Sequence, residues 1–247
     1  MKREHPWKNF SWAIVLALLI GTAVFLYRPP AVNSAFSPSR FAGETVVIDA
    51  GHWGEDGGAI SVSGAVESQI NLAIALRLDQ VLGLYGVNTV LLRDSDISLH
   101  DADASTLRQK KVSDLHNRVE AIEALEDPVV ISIHQNTFPS GKYHGAQVFY
   151  ANGELSLPLA QITQSMLRQV LDPGNDRKPT AVSESVYLMS HISCRAILVE
   201  CGFLSNPQED LLLQSEDYQT KLAAVLAGAY LSYQKTMQEG ETPTNAT

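Results

Sequence analysis

The stretch VVIDAGHWGEDGGAI, residues 46–60, carries the fold prediction for this chain. A short apolar run that ends in an acid and a glycine is typical of a buried strand, and a histidine follows at its carboxyl end. Segments with the same strand-like character recur along the chain: NTVLLR (88–93), VVISIH (129–134), GAQVFY (145–150) and AILVECG (196–202).

Segments with helical spacing of apolar residues alternate with these strands. Their apolar stripes are Ile70, Ile74, Leu78 and Val81; Val112, Leu115, Val119 and Ile122; Leu159, Ile162, Met166 and Val170; and Tyr218, Leu222, Val225 and Ala229. Alternating strands and helices predict an α/β domain. We expect a single domain with a mostly parallel, twisted sheet of about six strands and helices on both faces, preceded by one transmembrane helix.

The amino-terminal part of the chain differs from the rest in composition. Lys2, Arg3 and Lys8 precede an almost wholly apolar stretch, residues 12–27, and this charge bias predicts an amino terminus left in the cytoplasm. The stretch is near the short end of the roughly 17–25 residues that span a bilayer as a helix. We interpret it as an uncleaved anchor, with a cleaved signal as the alternative, so that the rest of the chain lies outside the cytoplasm.

The expected organisation has four parts. Residues 1–27 form the cytoplasmic tip and membrane anchor, and the Pro- and Ser-rich residues 28–42 form a linker. Residues 43–237 form the catalytic domain, and residues 238–247 form a disordered tail.

Charge and cysteine content argue against a nucleic-acid partner and against a disulfide within the chain. The net charge is -9 and no stripe of Lys and Arg is present, so we expect no nucleic-acid partner. The two cysteines, Cys194 and Cys201, lie at the ends of one strand-like segment. In a strand their Cα atoms would be roughly 23 Å apart, far beyond the ~7 Å limit for a disulfide, so they should be separate thiols.

Three of the predicted strands end in a residue that can bind a metal or move a proton: His52, His134 and Glu200. The carboxyl ends of strands in an open α/β sheet line a common crevice, and Glu67 begins a helix at that same edge. Two imidazoles and one carboxylate are the ligand set of a catalytic zinc centre, which leaves Glu200 as a proton-transfer group. Spacing alone also allows Glu55 or Asp56 as the third ligand.

These motifs resemble a known family, the zinc-dependent N-acetylmuramoyl-L-alanine amidases. The resemblance is carried by IDAGHWGEDGGA with Glu67, by ISIHQN, by GAQVFY and by ILVECGFLSNP, and it runs from about residue 44 to 236. It implies hydrolysis of the amide between the lactyl group of muramic acid and L-alanine of the peptidoglycan stem peptide. It further implies that His52, Glu67 and His134 hold one zinc ion and that Glu200 is the catalytic carboxylate.

Within that family, the amino-terminal anchor and the stretch SIHQNTFPSGKYHGAQVFY are most similar to the germination-specific amidases of spore-forming bacteria. That similarity implies a role in spore cortex maturation, by muramic lactam formation, and in germination. Only residues 151–157 separate the GAQVFY strand from the next helix, where some relatives carry an autoinhibitory helix. We therefore expect that any control of activity comes from a separate protein partner.

Individual positions and rival functions remain to be tested. Trp53 stands where the family usually has glycine and is expected to narrow the cleft or stack on a sugar, whereas Cys201 could perturb the site or pack as a small apolar residue. Asp49 could hold a ligand imidazole or the turn itself in place, and we favour the structural role. Arg118 is expected to be a solvated surface residue or an ion-pair partner. The alternative functions are a zinc peptidase that cuts within the stem peptide and a non-catalytic wall-binding scaffold.

Overall fold

A computed structural model describes residues 44–240. The predicted anchor (1–27) and linker (28–42) lie outside the described residues. Between residues 44 and 240, no helix is both long enough and apolar enough to cross a membrane. The last helix continues to Glu239, so residues 238 and 239 are helical where the sequence predicted the start of a disordered tail.

The described residues form one six-stranded sheet with the order β2-β1-β3-β6-β4-β5. The strands are β1 (Thr45–Ala50), β2 (Asn88–Leu91), β3 (Pro128–Asn136), β4 (Gln147–Tyr150), β5 (Thr180–Ala181) and β6 (Arg195–Phe203). All neighbouring strands are parallel except β4 and β6, which are antiparallel. The predicted mostly parallel α/β sheet is thus confirmed. The sequence did not identify β5, because two exposed residues are too short for a strand pattern.

The helices that follow these strands are α1 (Glu67–Leu84), α2 (Leu107–Glu123), α3 (Leu157–Val170), α4 (Tyr187–His191), α5 (Pro207–Leu213) and α6 (Glu216–Glu239). Neither α4 nor α5 was predicted, since both are too short to show helical periodicity. The Asn206 side chain caps α5 by accepting from the Gln208 and Glu209 N–H groups. This Asn-Pro start is a local signal in the sequence that could have revealed the helix.

Alternating side chains of the central strands enter two separate cores, one on each face of the sheet. On β1, Val46 and Ile48 pack in the core that includes residues of α1, α3 and α6, whereas Val47 packs in the core that includes Ile122 of α2 and Leu188 of α4. Each such fully buried aliphatic side chain contributes roughly 1.5–3 kcal/mol to folding. Helices therefore cover both faces of the sheet, as predicted.

The face of α2 that packs on the sheet agrees only in part with the predicted one, since Ile122 and Val119 pack in the core and Val112 does not. The helix buries Asp114, Arg118 and Ile122, whereas Val112 is half exposed. Of the two expectations for Arg118, the ion-pair partner is confirmed and the solvated surface residue is wrong, because two carboxylates compensate its charge inside the protein. Arg118 Nε donates to Asp114 at 2.7 Å, and Nη1 donates to Asp49, which also accepts from the Ser132 hydroxyl at 2.6 Å. Asp49 thus has the structural role that the sequence favoured.

Replacing Asp49 with Asn should lower the free energy of unfolding by about 3–5 kcal/mol near neutral pH, because it leaves the buried Arg118 charge partly unpaired. Burial alone would raise the pKa of Asp49, but Arg118 and Ser132 together lower it below 3.8. The ionised carboxylate therefore stabilises the fold at pH values above its ordinary pKa, and this contribution is lost as the pH falls through the folded-state pKa.

Denaturant unfolding measures the effect, and the free energies of unfolding of Asp49→Asn and wild type should become equal in acid. Asp103→Asn, at an exposed position, is the control; equal stability of Asp49→Asn and wild type at neutral pH would contradict the prediction.

Both ends of the described chain meet at the amino edge of the sheet. Glu44, just before β1, forms an ion pair with Arg195 at the start of β6. The same carboxylate accepts a hydrogen bond from the Tyr230 hydroxyl of α6 at 3.0 Å. The carboxyl ends of the parallel strands lie at the other edge.

Candidate functional site

The residues predicted to carry chemistry converge at the carboxyl edge of the sheet. His52 follows β1, His134 lies near the end of β3, and Glu200 on β6 is its register partner. Glu67 is the first residue of α1, whose start lies at this edge. The strand-end positions explain the convergence, because parallel neighbours bring their carboxyl ends together.

His52, Glu67 and His134 form a cluster that could hold a metal ion. One potential ligand atom from each residue lies within 4.8 Å of the others. Glu67 Oε1 is 3.1 Å from His134 Nδ1 and 3.5 Å from His52 Nε2. Burial alone would raise the pKa of Glu67, but the two imidazoles lower it to about 2. An ionised carboxylate facing two imidazole nitrogens matches the ligand set of a divalent metal such as zinc.

Neighbouring polar groups orient these three side chains. His52 Nδ1 is 3.2 Å from Asp56 Oδ2, which leaves Nε2 directed at Glu67. The hydrogen bond from His52 is the main cause that lowers the pKa of Asp56 to about 2. Glu67 Oε2 accepts from the Ala59 N–H at 2.8 Å, and Oε1 accepts from the Gln135 N–H at 3.1 Å. Such outer partners fix ring orientation and ligand basicity in metal sites.

The two alternative ligands that the sequence left open have other partners. Asp56 bonds the distal nitrogen of His52 and also pairs with Lys111 at 2.9 Å. Glu55 is exposed and forms an ion pair with Lys110 at 2.6 Å. Among the described residues, only Glu67 completes the cluster with both imidazoles.

Close packing around the cluster explains two glycines of the first loop. A Cβ atom on Gly51 would overlap the His134 ring. Gly58 has a φ of 73°, and its Cβ would lie 2.5 Å from Glu67 Oε2. Because neither position has room for a side chain, the glycines allow the loop to approach the ligand side chains.

Glu200 is the second carboxyl group of the site, and its setting differs from that of Glu67. Its Oε2 atom is buried and has no hydrogen-bond partner among residues 44–240. Burial, together with the nearby Glu67 carboxylate, raises the pKa of Glu200 to about 7, although the imidazoles of His134 and His52 oppose the shift. Two carboxyl groups with opposite pKa shifts are typical of sites that divide metal binding and proton transfer between them.

Two residues that depart from the family pattern are buried. Trp53 is 4% exposed and packs against His100 with 5.7 Å between ring centroids, so the expectation that it stacks on a sugar is wrong. Cys201 lies in the core, and burial raises the pKa of its thiol. It therefore packs as a small apolar residue. Cys194 and Cys201 are both free, as predicted.

An edge of an α/β sheet with this ligand cluster and a second, partly buried carboxyl group has the arrangement of a hydrolase able to use a divalent metal. The family model described as N-acetylmuramoyl-L-alanine amidase (Amidase_3) matches residues 46–230. The chain belongs to this N-acetylmuramoyl-L-alanine amidase family. It hydrolyses the amide that joins muramic acid to L-alanine, and its substrate is peptidoglycan.

Individual relatives agree with this assignment. The germination-specific N-acetylmuramoyl-L-alanine amidase of Bacillus subtilis (strain 168) is 32% identical over 239 residues, which cover 94% of this chain and 96% of the relative. Among solved structures, the CwlD amidase from Clostridioides difficile in complex with the GerS lipoprotein is 36% identical with a TM-score of 0.74, covering 78% of this chain and 98% of that one. An N-acetylmuramoyl-L-alanine amidase from Clostridium difficile 630 is 28% identical with a TM-score of 0.67, covering 78% of this chain and 98% of that one.

Proposed function

We propose that this amidase is zinc-dependent, with His52, Glu67 and His134 as the ligands of one zinc ion and Glu200 as the proton-transfer group. The observation that carries the proposal is the meeting of three donor atoms within 4.8 Å beside a carboxyl group, Glu200, whose Oε2 atom is buried and unpaired in the described domain. Two nitrogens and one oxygen leave a position open for substrate or water, as catalytic zinc sites require.

The chemistry divides between the ion and the chain. Zinc at this site would polarise the lactyl carbonyl and lower the pKa of a water molecule. As a carboxylate, Glu200 accepts the proton that the attacking water loses. It then donates that proton to the alanine nitrogen as the carbon–nitrogen bond breaks, which leaves a free lactyl carboxylate and a free amine. A pKa raised to about 7, chiefly by burial, suits a group that must both accept and donate.

The substrate of this enzyme in the cell is proposed to be spore cortex peptidoglycan. The similarity to the germination-specific amidase extends over 94% of this chain and 96% of the relative. It therefore includes more than a catalytic domain that different amidases share, and this supports the same role for this chain. Removal of stem peptides would then allow muramic lactam to form and prepare the cortex for germination.

An activating protein partner and a position outside the cytoplasm are also part of the proposal. The related CwlD amidase was solved with a lipoprotein bound, which supports a partner for this chain. Between β4 and α3 the chain has only a short turn that includes a 3-10 helix, Gly153–Leu155, as the sequence had indicated. Anchoring by residues 1–27 rests on their composition alone.

Product analysis tests this function directly. We expect the full chain to release stem peptides with a free amino-terminal L-alanine from cortex-type peptidoglycan, and we expect a zinc chelator to stop the release and added zinc to restore it. Mass spectrometry should find glycan free of peptide. Shortened stems still attached to sugar would instead identify a peptidase, and the absence of any product would favour a wall-binding scaffold. Activity that persists after complete metal removal would contradict the zinc proposal.

A further inference from the structure

Arg93 is a buried cation whose contacts are all with backbone. It follows β2, is 2% exposed, and has no carboxylate oxygen within 4.0 Å among the described residues. Its Nε donates to the Ala50 carbonyl at 2.9 Å, and Nη2 donates to the carbonyls of Gly51 at 3.1 Å and Ser68 at 2.8 Å. Nη1 donates to the Ser95 carbonyl at 3.1 Å. A buried charge that donates its hydrogen bonds only to neutral carbonyl groups needs an explanation other than ion pairing.

Three of the four carbonyls that Arg93 binds belong to residues next to, or separated by one residue from, a member of the metal cluster. Ala50 and Gly51 directly precede His52, and Ser68 directly follows Glu67. A single planar guanidinium therefore joins the end of β1 to the first turn of α1. These are the two segments that supply the first two proposed ligands.

The backbone conformation of His52 explains why a hydrogen bond from Arg93 to the Gly51 carbonyl matters for the metal cluster. His52 has a φ of 60°, in the left-handed region that is unfavourable for residues other than glycine. The angle φ is the torsion about the bond between the His52 N and Cα atoms. The peptide unit on the nitrogen side of that bond carries the Gly51 carbonyl. Arg93 Nη2 and Asn71 Nδ2, each at 3.1 Å, both donate to that carbonyl oxygen. Holding the oxygen fixes the peptide plane, and so holds the imidazole against the more relaxed conformations of the loop.

We propose that Arg93 is a positioning residue for the metal site, which keeps His52 in its left-handed conformation and at a fixed distance from Glu67. The inference rests on the proposed zinc centre. Lysine cannot replace Arg93 in this role, because a single ammonium group cannot reach carbonyls that the planar fork reaches from three different nitrogens.

Zinc affinity of the full chain tests the proposal. The metal-free protein, prepared with a chelator, is titrated with zinc ions alone against a competing chromophoric chelator. Arg93→Lys and Arg93→Met should raise the zinc Kd by about 10- to 100-fold, as expected for loss of an outer-shell partner. Arg195→Met is the matched control, because Arg195 is also largely buried and hydrogen-bonded but lies at the amino edge of the sheet. This control should keep the wild-type zinc Kd.

Thermal unfolding separates positioning from a purely structural role. At one fixed zinc concentration, the zinc-induced rise in Tm should be smaller in the Arg93 variants than in wild type, since that rise depends on the Kd. A purely structural role would lower the Tm with and without zinc equally, as expected for Arg195→Met. Wild-type zinc affinity in Arg93→Lys would overturn the proposal, and this variant decides the question if Arg93→Met does not fold. Failure of the wild-type chain to bind zinc would instead refute the metal centre itself.

Discussion

Replacing Glu200 with Gln should reduce amide hydrolysis by about 10²- to 10⁴-fold, the usual contribution of a general acid–base group, while zinc stays bound. The substitution keeps the shape of the side chain but removes the only function proposed for it, which is to take a proton from water and return it to the alanine nitrogen. The Glu200 Oε2 atom has no hydrogen-bond partner in the described domain, so little structural cost should accompany the change. Release of peptides from peptidoglycan and the metal content of the purified protein are the two measurements.

Glu154→Gln is the matched control for this experiment. Glu154 is exposed, in the turn before α3, and takes no part in the site. The same chemical change there should leave the rate of peptide release as in wild type. A Glu200→Gln enzyme that hydrolyses its substrate at the wild-type rate would show that another group transfers the proton. Loss of the metal from that variant would show that Glu200 helps to bind it.

Replacing Glu67 with Gln should weaken zinc binding by more than the roughly 100-fold that loss of an outer-shell partner can cost, and should abolish activity with it. An amide oxygen carries no charge to offset that of the ion, and the imidazoles of His52 and His134 would remain as the only proposed ligands. Glu67 accepts from the Ala59 N–H through Oε2 and from the Gln135 N–H through Oε1, and the single amide oxygen of Gln can replace only one of these bonds. We therefore expect the variant to fold with a free energy of unfolding lowered by about 1–3 kcal/mol. Zinc titration of the metal-free variant measures the effect, and circular dichroism verifies the fold.

Glu55→Ala provides the comparison, because Glu55 is one of the two carboxylates that chain spacing had left as alternative ligands. It points to Lys110 and is exposed, so its removal should not change zinc affinity. If Glu55→Ala lost the metal and Glu67→Gln kept it, the loop carboxylate would be the ligand and the loop would have to rearrange when zinc binds.

The parts of the fold and site that could be predicted from sequence depend on local patterns. Central parallel strands are buried on both faces, so β1, β3 and β6 read as continuous apolar runs. Their carboxyl ends must share an edge, which is why His52, His134 and Glu200 could be grouped from the sequence alone. The resemblance to known amidases then selected Glu67 over two nearer acids. Zinc binding, the residue roles and the membrane anchor stay predictions.

The parts that could not be predicted depend on partners far away in the chain. Arg118 looks like a surface residue until Asp49, 69 residues earlier, is placed beside it in the fold. Nothing local indicates that Trp53 is buried or that Asp56 bonds the distal nitrogen of His52. Arg93 did leave a signal, because a cation at the end of the apolar segment NTVLLR has to find buried acceptors. Which carbonyls it finds, however, depends on the three-dimensional arrangement.

Contacts of Glu44 with Arg195 and with Tyr230 of α6 place the first described residue beside the last helix, at the amino pole of the described domain. The six residues of β1 then separate that pole from the reactive one by roughly 20 Å, at about 3.3 Å per residue. A partner protein fused directly before Glu44 would therefore join the domain at the edge of the sheet opposite to the proposed metal site, on the far side from the cleft that must admit insoluble wall material.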